Sequence, residues 1–306
     1  MRLLAIFACL LWGSAVVGAK IGFEYVPPIL LSGIRFSLAG LLLLPLLIYR
    51  REPFGKTLKE HWVFMSLFAF MQTFFQYGLF FMGLDKVPGA IGAIVVGAGP
   101  LVITVMAHFF MPDDRITFRK MIAILLSLLG VVFISATKGG TIGVDDSEFY
   151  LGLTFLLVSI LIGGYTNIAV AKYKKSLSPV FLTAYANFFG GLALTLAGLL
   201  VEEVPNVQEL PLRFYAAWVW LAIIPAAGFS IWYSLLQRPG VKVSDLNMWK
   251  FVIPVTGCLF SWAFLPGEYP TVISVAGVLI ITVSLQINQM PASAAVKIAQ
   301  LFKRKK

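Results

Sequence analysis

The sequence predicts an all-α integral membrane protein with ten transmembrane helices, arranged as two inverted five-helix repeats. Three observations support this prediction: an apolar composition, a series of long apolar segments and a repeated proline motif. Of the 306 residues, 59% are hydrophobic and 12% are charged, and the mean hydropathy is +0.89. Soluble domains carry about 25% charged residues, and a water-soluble fold of this length could not hide so much apolar surface.

Ten apolar segments divide the chain. Most of them are close to the length of about 20 residues that crosses a hydrocarbon core as a helix. Backbone polar groups in lipid must be satisfied within the segment itself, which favours helices. The segments, numbered 1 to 10, are 2–21, 27–49, 62–84, 88–111, 117–137, 149–171, 178–201, 213–236, 243–265 and 270–289.

Segment 1 has an alternative interpretation. Residues Met1–Ala19 contain Arg2, an apolar stretch and small residues, which is also the pattern of a signal peptide. The apolar run continues to Ile21 and is therefore longer than the 7–15 residues of a signal core. We expect this segment to remain as the first transmembrane helix.

The distribution of basic residues predicts the orientation. With the N-terminus in the cytoplasm, 18 of the 24 Lys and Arg residues lie inside and four lie outside, as the positive-inside rule requires. Both termini are then cytoplasmic, and the basic tail 291–306 lies on the membrane surface. The net charge of +10 thus indicates topology rather than a nucleic-acid partner.

Segments 4 and 9 end in similar motifs at one constant offset. The matched pairs are Pro100 and Pro254, Pro112 and Pro266, Asp114 and Glu268, and Thr117 and Thr271. Because each repeat has five segments, the second enters the membrane from the opposite side, an architecture found in secondary transporters. The predicted boundaries are 1–146, 147–290 and, for the tail, 291–306. The alternative is that apolar helices resemble one another by composition alone.

Several short motifs follow one another in the order of a known family. They are Trp12-Gly13-Ser14 with Lys20, Pro28 with Arg35-Phe36, Pro100 with Asp114-Arg115-Ile116-Thr117 and Gly130-Val131-Val132, and Pro254 with Gly267-Glu268. Together they resemble the EamA-like family of drug/metabolite transporters over nearly the whole chain. Asp113-Asp114 and Tyr269 depart from the family pattern, which has Gly-Glu and often Arg there. The resemblance implies a ten-helix inner-membrane carrier, often an exporter of amino acids or other small metabolites.

Two cations fall inside predicted spans, where a charge is costly and indicates function. Arg35 could bind a carboxylate or a phosphate, or it could be structural and either bond the carbonyls of neighbouring helices or snorkel outward. Lys250 could contact the solute or a gate, or it could snorkel to the cytoplasmic surface. Further candidates for substrate binding are polar or aromatic residues near mid-segment: Trp12, Gln72, Gln76, Tyr77, Tyr165, Asn167, Asn187, Trp232, Tyr233 and Asn247. The alternative for these is hydrogen bonding between helices.

Two prolines are candidate hinges. Pro100 and Pro254 occupy matching positions in segments 4 and 9, and a proline inside a helix removes a hydrogen bond and kinks it. Symmetric kinks could permit a rocking motion, or they could set a static shape.

The remaining residue types favour a solute carrier that works by alternating access. No Asp or Glu lies mid-segment, and His61 and His108 are near segment ends, so we expect facilitated diffusion or exchange rather than proton coupling. We predict no catalytic residue, cofactor or metal, and Cys9 and Cys258 are interpreted as packing residues. The alternatives are a membrane-embedded lipid-modifying enzyme and a non-transporting receptor or scaffold. Expected partners are a small-molecule solute and the lipid bilayer, with no nucleic acid, and we expect a monomer.

Overall fold

A computed structural model of the chain describes residues 1–87, 95, 97–136, 146–173, 177–204, 206, 210–264 and 269–289. Every regular element in this described part is a helix. The predicted tail 291–306, the motif residues Pro266, Gly267 and Glu268, and residues 88–94 of segment 4 lie outside the described residues.

The helices follow one another along the chain with short connections. Those of the first half are α1 (Arg2–Phe23), α2 (Pro28–Leu42), α3 (Leu44–Tyr49), α4 (Phe54–Ala69), α5 (Gln76–Asp85), α6 (Gly99–Phe110) and α7 (Phe118–Ala136). Those of the second half are α8 (Asp146–Lys172), α9 (Pro179–Val201), α10 (Leu212–Leu236), α11 (Val243–Asn247), α12 (Val252–Phe264) and α13 (Val272–Gln289).

Within the described ranges, six helical stretches could cross a membrane by their length and composition. They are Arg2–Phe23, Pro28–Tyr49, Phe54–Leu84, Ser147–Lys172, Pro179–Val201 and Leu212–Leu236. These stretches correspond to predicted segments 1, 2, 3, 6, 7 and 8. In their described parts, segment 4 overlaps α6, segment 5 overlaps α7, segment 9 overlaps α11 and α12, and segment 10 overlaps α13. The prediction of an all-helical chain is therefore confirmed for the described residues, and the six long apolar stretches are consistent with a membrane protein.

Irregular turns interrupt several of the predicted segments. Segment 2 breaks at Leu43, just before Pro45 in the first turn of α3, where a proline is tolerated. Segment 3 contains a π-helical stretch, Phe70–Phe75, between α4 and α5. Segment 9 contains a 3₁₀ turn, Met248–Phe251, between α11 and α12. Such irregular turns often mark functional positions in a helix, and the last two carry predicted site residues.

The most extensive helix contact is between α2 and α9. Glycines at this contact let the two backbones approach closely. A Cβ added at Gly33 would lie 2.3 Å from the backbone nitrogen of Thr195, and one added at Gly191 would lie 2.4 Å from that of Ser37. Neither position has room for a side chain, so this crossing depends on glycine.

The start of α2 is capped by an acidic residue from the end of α9. The Glu202 carboxylate accepts hydrogen bonds from the backbone N–H groups of Ile29 at 2.9 Å and Leu30 at 2.7 Å. Because the first N–H groups of a helix have no intrahelical partner and carry partial positive charge, a carboxylate there is stabilising. This cap and the glycine contact hold α2 to α9 along their length.

A buried polar network joins the α6–α7 connection to α11. Asp114 accepts hydrogen bonds from the Ser244 N–H at 2.7 Å, from the Ser244 hydroxyl and from Lys120 Nζ at 3.1 Å. The same ammonium lies 2.8 Å from Asp245 Oδ1. Asp114 and Lys120 are 2% and 5% exposed, so both charges are removed from water and compensate each other. The network connects the two predicted halves of the chain.

The outer surface of the helices is strongly apolar. Many large hydrophobic side chains are exposed, among them Leu200 at 86% and Phe109 at 75%. Contiguous apolar surface of this kind on a helix bundle is suited to lipid rather than water. By contrast, Cys9 in α1 and Cys258 in α12 are buried and are not joined in a disulfide.

Candidate functional site

Four aromatic side chains from α1 and α10 form a contiguous cluster, called here the aromatic cluster: Trp12, Phe229, Trp232 and Tyr233. The Trp12 ring lies 5.5 Å from that of Phe229 and 5.1 Å from that of Trp232, centroid to centroid. Phe229 and Tyr233 stack at 5.5 Å. On α10 these residues recur at three- and four-residue spacing, which places them on one face of the helix.

Lys250 projects its ammonium towards the aromatic cluster. Its Nζ lies 5.0 Å from the ring centroid of Trp232 and 5.9 Å from that of Trp12, within the range of a cation–π interaction. The 3₁₀ turn Met248–Phe251 carries this lysine, and the side chain is partly buried. Within the described residues, no carboxylate forms an ion pair with it. In the described part of the chain, the faces of these two rings stabilise the charge.

Two asparagines border the same cluster. Asn167 Oδ1 on α8 accepts a hydrogen bond from Trp232 Nε1 at 2.8 Å and a longer one from Asn247 Nδ2 at 3.4 Å. Asn247 also donates to the Val243 carbonyl at 2.9 Å. Its own Oδ1 is buried and has no hydrogen-bond partner among the described residues. One uncompensated acceptor therefore lies one helical turn from Lys250.

Arg35 on α2 is a second buried cation, 7% exposed. Its guanidinium carbon lies 4.8 Å from the ring of Phe36, 5.3 Å from that of Phe81 and 5.9 Å from that of Tyr77. Its Nε has no hydrogen-bond partner in the described part of the chain. Tyr77 in turn lies 6.3 Å from Phe229, so a continuous row of rings connects Arg35 with the aromatic cluster.

The two predicted glutamines lie one turn apart, in the π-helical stretch and at the start of α5. Gln72 lies in the π-helical stretch and is 1% exposed. Its Oε1 accepts a hydrogen bond from Thr73 at 2.7 Å, whereas its Nε2 has no partner within the described residues. The Gln76 amide lies against α8, because a Cβ added at Gly163 would be 3.0 Å from Gln76 Nε2. The Gly163 carbonyl accepts a hydrogen bond from Asn167 Nδ2 at 2.6 Å, so Gln76 lies beside α8 one turn before Asn167.

A family model decides the identity of the chain. The model of the EamA-like transporter family matches residues 1–136 and 150–288. The chain belongs to the EamA-like transporter family. The resemblance found in the sequence motifs is therefore confirmed. As a member of this family, the protein is a multi-pass membrane transporter.

Named relatives agree with this assignment. The EamA-like chain is 23% identical to the uncharacterized transporter YoaV of Bacillus subtilis (strain 168), over 91% of this chain and 93% of that protein. It is 25% identical to a probable amino-acid metabolite efflux pump of Salmonella typhimurium, over 93% of each. A solved crystal structure matches with a TM-score of 0.78 at 20% identity, covering 94% of this chain and 95% of that one. The structural match shows that the two folds are alike.

Two predicted site residues of this EamA-like transporter make none of the ring contacts and hydrogen bonds described above. The Tyr165 side chain is 51% exposed, on the opposite side of α8 from Asn167. Asn187 on α9 is fully buried, and both atoms of its amide lack a hydrogen-bond partner within the described residues. Eight of the other predicted residues lie in the row of rings or the asparagine pair or against them: Trp12, Arg35, Tyr77, Asn167, Trp232, Tyr233, Asn247 and Lys250.

The predicted hinge prolines stand at helix starts. Pro100 is the second residue of α6, and Pro254 is the third residue of α12. The expected loss of a hydrogen bond in a helix interior does not apply there, because N–H groups in the first turn have no intrahelical partner. The irregularities precede the prolines, at the turn of Ala98 and the 3₁₀ turn Met248–Phe251. A hinge role for both prolines stays a prediction.

Several site residues of this EamA-like transporter were not predicted. Phe229, Phe36 and Phe81 supply rings to the cluster and to Arg35, and phenylalanine is too common in this sequence to stand out. Gly228 lets Trp12 approach α10, since a Cβ there would lie 3.1 Å from Trp12 Nε1. The three- and four-residue spacing of Phe229, Trp232 and Tyr233 was the sequence signal that could have placed Phe229 with the two predicted aromatic residues on one helix face.

Proposed function

We propose that this protein is a secondary transporter that exports small metabolites with a carboxylate, such as amino acids, across the inner membrane by alternating access. The observation that carries the proposal is Lys250, a partly buried cation held over two tryptophan rings without an ionic partner among the described residues. A buried charge needs a counter-charge. In our proposal the carboxylate of the solute supplies it.

The surroundings of Lys250 suit the rest of a zwitterion. The Oδ1 of Asn247, which has no hydrogen-bond partner in the described ranges, is an acceptor for an ammonium group one turn away from the lysine. The rings of Trp12 and Phe229 offer apolar contact to a side chain. The Salmonella relative, which is named a probable amino-acid metabolite efflux pump, supports both the solute class and the direction.

The packing of the helices supports ten spans in two inverted repeats, 1–146 and 147–290. If each segment is exchanged with the one five places later, the main contacts are preserved. The contacts of α1 with α10 and α12 correspond to those of α8 with α5 and α6. The α2–α9 and α7–α13 contacts each join two helices that correspond to each other, so the exchange leaves them unchanged. Each of the two stretches matched by the family model also falls within one of these repeats.

Alternating access would take place around the aromatic cluster. Its rings come from α1 and α10, in different repeats, and Lys250 lies in the 3₁₀ turn of segment 9. His108 Nδ1 accepts a hydrogen bond from the Ile116 N–H at 3.2 Å, just beyond the end of α6. Because this ring nitrogen is engaged in a structural hydrogen bond, we favour exchange or facilitated diffusion over proton coupling through His108.

Counterflow in proteoliposomes tests the proposal. Vesicles are loaded with unlabelled neutral amino acids and probed with a labelled one, and with the corresponding amine that lacks the carboxylate. We expect saturable accumulation of the amino acid but not of the amine. Because truncation of one partner of a buried charge pair costs about 2–5 kcal/mol, Lys250→Ala should weaken the apparent affinity by about 30-fold or more.

The matched control is Lys242→Ala, which removes an exposed lysine eight residues earlier in the chain. It should transport like the unchanged protein, and Lys250→Arg should retain part of the activity. Accumulation that is equal in Lys250→Ala and Lys242→Ala would contradict the proposed role of Lys250. Accumulation of the amine as fast as the amino acid would contradict the proposed solute class.

Labelling of introduced cysteines tests the predicted topology. Lys56→Cys should react with a membrane-impermeant maleimide only in inside-out vesicles, and Glu203→Cys only in right-side-out vesicles. The native thiols, Cys9 and Cys258, are buried and should give a low background. Reaction of both introduced cysteines from the same side would contradict the inverted arrangement.

A further inference from the structure

A groove opens on the side of the helices, away from the aromatic cluster. Its walls are formed by α1, by α2 and α3, by α9 and by α10, and its volume is about 640 Å³. The α10 residues that line it, such as Ser230, Ile231 and Ser234, alternate along the helix with Phe229, Trp232 and Tyr233. One face of α10 therefore borders the groove and another borders the proposed solute site.

The walls of the groove are effectively apolar. Most lining residues are aliphatic, such as Leu42, Leu46 and Ile231. The two serine hydroxyls in the wall are already engaged: Ser230 donates to the Ala226 carbonyl and Ser234 to the Ser230 carbonyl, both at 2.6 Å. A polar solute would lose its hydration there without gaining hydrogen bonds, whereas a hydrocarbon chain would lose nothing.

Two arginines stand at one end of the groove. Arg50 follows the last residue of α3, and Arg238 lies two residues beyond the end of α10. Both line the groove, both are exposed, and neither forms an ion pair within the described residues. Arginine binds phosphate oxygens bidentately. Because both residues lie at helix ends, they are placed at the level of lipid headgroups.

The length of the groove also matches a lipid. Its lining on α10 runs from Ile223 to Arg238, about 22 Å along the axis of an α-helix. One leaflet of the hydrocarbon core is about 15 Å thick. A chain that enters at the arginines can therefore lie in the groove over the full depth of its leaflet.

We propose that this groove binds one phospholipid with an anionic headgroup, such as phosphatidylglycerol. An acyl chain lies along α10, and the phosphate is held by Arg50 and Arg238. In the orientation proposed above, the lipid comes from the cytoplasmic leaflet, where basic sites between helices bind anionic headgroups. The inference goes beyond the proposed function, since the lipid occupies a different face of α10 from the solute.

Native mass spectrometry tests this site. The full chain is released from nanodiscs that contain equal amounts of phosphatidylglycerol and phosphatidylcholine. We expect one retained phosphatidylglycerol, preferred at least about tenfold over phosphatidylcholine. Arg50→Gln/Arg238→Gln should abolish the preference, and Ser230→Phe, which fills the groove, should abolish retention of both lipids.

The matched control is Arg51→Gln/Lys59→Gln, which removes two exposed cations from the same side of the protein without touching the groove. It should retain the preference. An equal loss of the phosphatidylglycerol preference in the control would mean that general surface charge causes the effect, and would overturn the proposal. An unchanged preference in Arg50→Gln/Arg238→Gln would also overturn it. Displacement of the lipid by millimolar glycerol phosphate would show a phosphate site that needs no acyl chain, and would also overturn it. None of these outcomes depends on solute transport.

Discussion

Replacement of Asp114 by alanine should destabilise the protein strongly. Asp114 is 2% exposed and accepts two hydrogen bonds from Ser244 and one from Lys120. Removing one partner of a buried ion pair costs about 3–5 kcal/mol. Asp245 stays 2.8 Å from the lysine ammonium and offsets part of this cost. We therefore expect a loss of about 2–4 kcal/mol in the free energy of unfolding.

The free energy of unfolding can be measured by titration of the protein in mixed micelles with sodium dodecyl sulfate. Asp113→Ala is the matched control, because Asp113 is the exposed neighbour in the same connection. A surface substitution of this kind should change the free energy by less than about 0.5 kcal/mol. A double variant, Asp114→Leu with Lys120→Met, should recover part of the loss, since it leaves no buried charge without a partner.

The comparison of these variants can refute the reasoning. Equal effects of Asp114→Ala and Asp113→Ala would mean that the buried network does not hold the α6–α7 connection to α11. A double variant less stable than Asp114→Ala would mean that Lys120 stabilises the fold independently of Asp114, which contradicts the pairing seen in the structure.

Three further substitutions have definite expected outcomes. Gly191→Ala should cost about 1–3 kcal/mol through overpacking of α2 against α9, whereas Gly55→Ala, with no atom within 4 Å of the added Cβ, should be neutral or stabilising; chemical unfolding of both variants checks this. Glu202→Gln should lower the free energy of unfolding by about 1 kcal/mol through the weaker cap on α2, and Glu203→Gln, at the exposed neighbour, should leave it unchanged. Asn167→Ala should leave a buried indole N–H without an acceptor, at a cost of about 1–3 kcal/mol. Its counterflow rate should fall as the tryptophan shifts, and a rate equal to that of the unchanged protein would contradict the position assigned to this asparagine.

Much of the fold was predictable because helix formation in lipid is a local property. Every predicted segment overlaps at least one helix in the described part of the chain, although α4 begins eight residues before segment 3. The interruptions were harder to predict. The π-helical stretch Phe70–Phe75 contains neither glycine nor proline, so no residue type marks it, and its position depends on how α4 and α5 meet their neighbours.

The candidate site was predictable only as a set of residue types. Tyr165 and Asn167 are two positions apart, which is more than half a turn of an α-helix, so their side chains had to point in different directions. The sequence does not state which of them faces inward. In the structure Asn167 is 6% exposed and Tyr165 is 51% exposed, because the rotation of α8 is set by its contacts with α5 and α6.

The sequence by itself determined that this chain is a helical membrane protein of the EamA-like family and approximately where its apolar helices run. Those properties depend on segments of about 20 residues and on motif order. The tertiary structure alone decided that Lys250 meets Trp12 and Trp232, and that Asp114 meets Ser244. Contacts between residues so far apart in the chain depend on the rotation and register of whole helices, which are set by packing across the bundle rather than by any local pattern.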